Sequence, residues 1–217
     1  MCFSAEASFI AAGVTGVAGA IALSRARVRS EWPLAAMPLF FAAQQAIEGF
    51  LWLALPVAAD GAQAARWTHL FLMFALVFWP LYASISIWLM EPDAGRRRGM
   101  SIAVTCGVIV SAYFLWSLNA NPQTALIEGG HIVYSGDPDM PPVFRLMYPI
   151  ATCGAAALSS FRTIRLLALV LIVASLVSYF AYWHAFASVW CFFAAAASVL
   201  IVYQFEAARR AREAASV

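Results

Sequence analysis

The sequence predicts an all-α integral membrane fold, a seven-transmembrane-helix bundle forming a single transmembrane domain over residues 1–217. Three observations predict it. Hydrophobic residues make up 64% of the chain and charged residues 11%, against about 25% charged in an average soluble domain. Apolar runs of about 18 residues or more recur, each long enough to cross a hydrocarbon core of roughly 30 Å as a helix. The 13 basic residues are all arginine, and they gather in alternate connections.

The first helix is predicted at 6–24, an apolar run that stops before Arg25, Arg27 and Arg29. The second, 32–55, opens beside Pro33 and carries Pro38. In the third, 67–90, Pro80 follows "FALVFW" and removes a backbone donor mid-span, so a kink is expected there. The fourth, 100–118, follows Arg96, Arg97 and Arg98. The fifth, 143–160, follows "PDMPP" and holds Pro149, Cys153 and several small residues, which suit close packing of transmembrane helices. The sixth and seventh are predicted at 164–182 and 184–207. The connection 121–142 is the one extramembrane stretch long enough for structure. Within it, "TALIEGGHIVYS" reads as two β-runs joined by Gly129-Gly130, a two-residue hairpin turn. The hairpin either covers the mouth of the bundle and brings His131 over it, or is a solvated loop.

Seven crossings place 11 of the 13 arginines on one face: Arg25, Arg27, Arg29, Arg96, Arg97, Arg98, Arg162, Arg165, Arg209, Arg210 and Arg212. Arg66 and Arg145 fall on the other. Positive charge is retained in the cytoplasm, which predicts a multi-pass membrane protein with its N-terminus outside and its C-terminus inside. The net charge of +2 is therefore a topology signal, and the lipid bilayer, not nucleic acid, is the expected partner.

The opening "MCFSAEASFI" lacks the basic region and cleavage site of a signal peptide. Cys2 is thus expected at the outer surface. With Met1 trimmed it would offer an amine and a thiol together, a pair able to chelate a metal or act as a nucleophile. The alternative is a small interfacial residue with no such role.

The same side collects the other chemistry-bearing residues. All three histidines, His69, His131 and His184, fall outside, and Glu48 and Cys191 share a depth of about 10 Å below the outer surface. Gln45, Glu48 and Trp52 follow i, i+3, i+7, a polar stripe on an otherwise apolar helix. A lone carboxylate in hydrocarbon costs several kcal/mol, so Glu48 is neutral, paired or metal-bound. His184, Ser188 and Cys191 share one face of helix 7, which meets Glu48 if it looks inward, and Cys2 and Glu6 share a face of helix 1. This predicts a transition-metal site, zinc first, with Glu48, His69 and His184 as ligands, Cys2 or His131 completing the shell, and Glu6 as general base. Its expected activity is metal-dependent hydrolysis of a lipid-like or amphiphilic substrate. Alternatives are helix glue by a protonated Glu48, and a non-enzymatic sensor, transporter or copper- or haem-holding protein.

"MCFSAEASF", "QQAIEGFLWL", "FALVFWP", "HIVYS" and "SVWCFFAA" together resemble a bacterial family of uncharacterised seven-helix membrane proteins opening Met-Cys-Phe-Ser. The resemblance covers nearly the whole chain and implies the fold and no activity. Retinal proteins are a poor match, because no lysine is present for the Schiff base. The alkaline ceramidase and adiponectin-receptor group is similar in helix number, but its last helix carries a His-x-x-x-His pair where this one has a single histidine.

Overall fold

A computed structural model describes residues 4–135, 141–181 and 185–215 of the chain. Its described helices are α1 (Ala5–Arg25), α2 (Trp32–Ala54), α3 (Ala62–Met90), α4 (Ala94–Ala120), α5 (Pro142–Leu158), α6 (Arg162–Ala181) and α7 (Phe186–Ala214). Six of these stretches are long and apolar enough to cross a membrane, α2 with the 3₁₀ turn Arg29–Glu31 in front of it; α5 is the shorter seventh. Between α4 and α5 stand β1 (Thr124–Glu128) and β2 (His131–Ser135), paired antiparallel with Glu128 opposite His131 and Ile127 opposite Ile132. Gly129 and Gly130 close the turn at φ 57 and 77, the left-handed region that glycine enters at little cost.

Two helices begin earlier than their apolar runs predict, and α7 ends later. The Asp93 carboxylate accepts the Arg96 N–H at 2.7 Å, capping α4 in front of its arginines. In α7, Glu206 pairs with Arg209 and Arg210 at helical spacing and carries the helix beyond its apolar part.

Helices α1 and α2 form an antiparallel hairpin in which Gly19 faces Leu39, Gly16 faces Ala42 and Phe9 lies against Gly49. Aromatic pairs join α2 to α3: Phe50 stacks on Trp67 and Phe41 on Trp79, with centroids 5.0 and 3.9 Å apart. At the α3–α4 crossing Gly107 meets the Pro80 carbonyl, leaving no room for a Cβ. Small residues thus set the helix spacing, as expected where hydrocarbon gives helices no solvent-driven reason to associate.

Pro80 acts through the hydrogen-bond ladder. The turns Met73–Phe78 before it are π-helical, and the Trp79 N–H donates to Phe74 O, five residues back. In that register the Ala75 carbonyl faces position 80, where proline has no N–H. The Tyr148 hydroxyl of α5 donates to Ala75 O instead, and Ser111 of α4 donates to Val77 O at 2.6 Å. The Tyr148 side chain of a neighbouring helix therefore fills the gap Pro80 leaves. α5 has its own π segment, Ile150–Gly154, directly after Pro149.

The arginine-rich connections meet at one end. Arg25 pairs with Glu206 at 3.4 Å and Arg212 with Glu31 at 3.8 Å, tying α7 to the α1–α2 connection. Glu91, 2% exposed just beyond α3, accepts from the Ser160 hydroxyl, the Ser160 N–H at 2.8 Å and the Asp93 N–H at 3.2 Å. Burial pushes this carboxyl up, but those bonds and a longer one from Ser159 outweigh it and hold it below its ordinary value. Arg96 donates to Leu158 O and Arg165 to Ser159 O, at 2.9 and 2.8 Å.

Candidate functional site

Glu48 lies in the α2 stripe the sequence singled out, and it is fully buried. Its Oε1 accepts the Ser188 hydroxyl of α7, and its Oε2 accepts Gln45 Nε2 at 3.4 Å. One turn deeper, Gln44 Oε1 accepts Trp79 Nε1 of α3 at 2.6 Å, while Gln44 Nε2 donates to Cys191 Sγ of α7 at 3.3 Å. Gln44 and Glu48 thus bind α2 to α3 and α7 with polar groups, each a bond an apolar solvent cannot replace. The face of helix 7 read from the sequence does meet Glu48, through Ser188, and Cys191 on the same face meets Gln44.

Other polar atoms at about this level have no partner among the described residues. Ser8 Oγ on α1, Gln45 Oε1 and Trp52 Nε1 on α2, and Thr68 Oγ1 on α3 are buried and unbonded. Their level follows from the helix register. Phe9 packs on Gly49 and Trp67 stacks on Phe50, so Ser8 stands about two residues, or roughly 3 Å, and Thr68 about one residue, or roughly 1.5 Å, nearer the hairpin than Glu48. Most buried polar groups in folded proteins are hydrogen-bonded, so four orphans in one slab need a cause.

The hairpin closes this end of the bundle. Ala125 and Ile132 are buried against Leu51, Leu55 and Ala64, and Tyr134 stacks on Phe71 with centroids 5.0 Å apart. Of the two readings of the loop, the cover is the one observed.

Among the predicted metal ligands that the structure describes, Glu48 alone stands at the centre of this network. His69 is half-buried on α3, one position off the face carrying Thr68, Phe71 and Leu72. His131 sits at the hairpin turn opposite Glu128, and partial burial pushes its imidazole down. Glu6, expected above the cluster as a base, is exposed; it is two positions from buried Ser8 and so on the opposite side of α1. Depth placed it correctly and helical phase turned it away. Cys2 and His184 lie outside the described residues. Among the described residues, no three of His, Cys, Asp and Glu gather in a group that could hold a metal ion.

A cavity of about 40 Å³ lies deeper, lined by Phe41, Trp79, Tyr148, Thr152, Trp190 and Ile201 among others. The Tyr148 and Thr152 hydroxyls already donate to backbone carbonyls, so neither has a donor left for a ligand there.

The family model of DUF6629, described as a family of unknown function, matches residues 1–216. The chain belongs to DUF6629. No curated protein and no solved structure matches it. Membership in DUF6629 bears out the resemblance to an uncharacterised family and carries no activity with it. Sequence reasoning missed the orphan hydroxyls of Ser8 and Thr68, the Trp79–Gln44 link and Glu91. Ser8 and Thr68 lack charge, and the other two depend on which helices are neighbours.

Proposed function

We propose that this chain is a multi-pass membrane protein that works by exchanging a cation, a proton above all, at Glu48. In this reading the hairpin end faces the outside of a bacterial inner membrane, and the arginine-rich end faces the cytoplasm. One observation carries it: a fully buried carboxyl at membrane depth is bonded to two neutral side chains, Ser188 and Gln45. Among the described residues no arginine pairs with it. A carboxyl there is stable either protonated or beside a cation, so gaining and losing that cation is the chemistry open to it. The site belongs with those of membrane sensors and transporters.

Zinc-dependent hydrolysis is placed second. It needs further donors around Glu48 and a base above them, whereas His69 lies off that face and Glu6 is exposed. Infrared spectroscopy of the purified chain in detergent, stepped across the physiological pH range, separates the readings. A protonated-carboxyl band that responds to pH and vanishes in Glu48→Gln is expected. No such band at any pH overturns proton exchange. A stoichiometric transition metal in wild type that is lost in Glu48→Gln would put a metal ion in the proton's place.

A further inference from the structure

We infer that Ser8, Gln45 and Trp52 hold an enclosed cluster of water in the crevice between α1, α2 and α7, in contact with Glu48. Gln45, Glu48 and Trp52 share one face of α2, and Ser188 fixes α7 against that face. Ser8 is on the buried face of α1, which packs against both α2 and α7, and its level is set by Phe9 against Gly49. Ser8 Oγ, Gln45 Oε1 and Trp52 Nε1 are buried without partners among the described residues.

The chemistry of the three atoms selects the occupant. Gln45 Oε1 can only accept, Trp52 Nε1 can only donate, and Ser8 Oγ does either. A bare cation would satisfy the carbonyl and leave the indole N–H unmet. An anion would do the reverse and would also face the Glu48 carboxyl. Water both donates and accepts, and buried waters are found where two to four polar groups are otherwise unsatisfied. On the reading of Glu48 as an exchanging carboxyl, this cluster is its proton relay on the hairpin side. A proton arriving from the hairpin side passes along the waters to the carboxylate, each water taking one proton as it gives another, and it leaves by the same hydrogen bonds in reverse.

Nuclear magnetic resonance of the full chain in lipid nanodiscs tests the site directly. The Trp52 indole N–H, assigned by its loss in Trp52→Phe, should show a cross-peak to water; its absence overturns the cluster. A second measurement follows the Glu48 carboxyl band after transfer into D₂O. Ser8→Ala and Trp52→Phe should keep the band and slow its exchange several-fold, and exchange at the wild-type rate in both overturns the relay. Failure of the proposed function reads differently, since the water cross-peak then remains while the Glu48 band is missing from wild type.

Discussion

Ser188 donates its hydroxyl hydrogen to the carboxylate of Glu48, 140 positions earlier in the chain. This bond joins the last helix to the second, and with Gln44–Cys191 beneath it makes a two-rung polar seam between α2 and α7. Ser188→Ala removes the donor and leaves the carboxyl under-bonded, with an expected cost of about 1–2 kcal/mol, the range of hydrogen bonds between membrane helices. Thermal unfolding in detergent measures it. Glu48→Gln keeps an acceptor for Ser188 and should unfold close to wild type. Glu48→Lys buries an unpaired cation and should fail to accumulate as a monodisperse protein.

The Tyr148–Ala75 bond exists because Pro80 cannot donate. Tyr148→Phe should therefore destabilise the chain by roughly 0.5–2 kcal/mol. In a Pro80→Ala background an amide is available at position 80, and the same substitution should cost less. A double-mutant cycle of unfolding temperatures gives the coupling, and equal costs in both backgrounds would refute the link.

Glycines along the helices should respond oppositely to a methyl group. Gly107→Ala drives a Cβ into the Pro80 carbonyl and should cost about 1–3 kcal/mol through strain. Gly13 has nothing within 4 Å of its Cβ position. Gly13→Ala should be neutral or stabilising by up to about 1 kcal/mol, because alanine is the better helix former. Comparing the two unfolding midpoints checks both.

Glu91 carries a pH dependence. Its carboxyl titrates below its ordinary value in the folded chain, so the stability it contributes is complete above the unfolded value of about 4.3 and is lost as pH falls through the lower, folded one. Glu91→Gln should melt below wild type at neutral pH, and the gap should close on acidification below about pH 4. A gap that stays constant with pH would mean that the charge plays no part.

Helix number and sequence limits were legible because hydrocarbon thickness fixes an apolar length, a property a composition window reads directly. The start of α4 was not, since Asp93 caps a turn of arginines that such a window counts as loop. Glu48 was legible as the one carboxylate on an apolar stripe, and Ser188 and Cys191 followed from helical spacing. Glu6 and His69 show where that reasoning stops. Sequence gives depth along the bundle normal, and it does not give the rotation of α1 or α3 about its axis, which turns one side chain outward and leaves the other off the network. Glu91 was missed, because its serine partners lie 68 and 69 positions away.

The brevity of α5 has a consequence for the lipid around it. Its 17 residues rise about 26 Å at 1.5 Å each, short of the roughly 30 Å of an average hydrocarbon layer. Its six neighbours are longer, so the mismatch is local to one side of the molecule. There the two leaflets are expected to thin, bringing phosphate headgroups with their water toward Pro142 and Arg145 while the far flank keeps bilayer of normal depth. The protein should therefore tilt in a thick membrane and settle in a thin one.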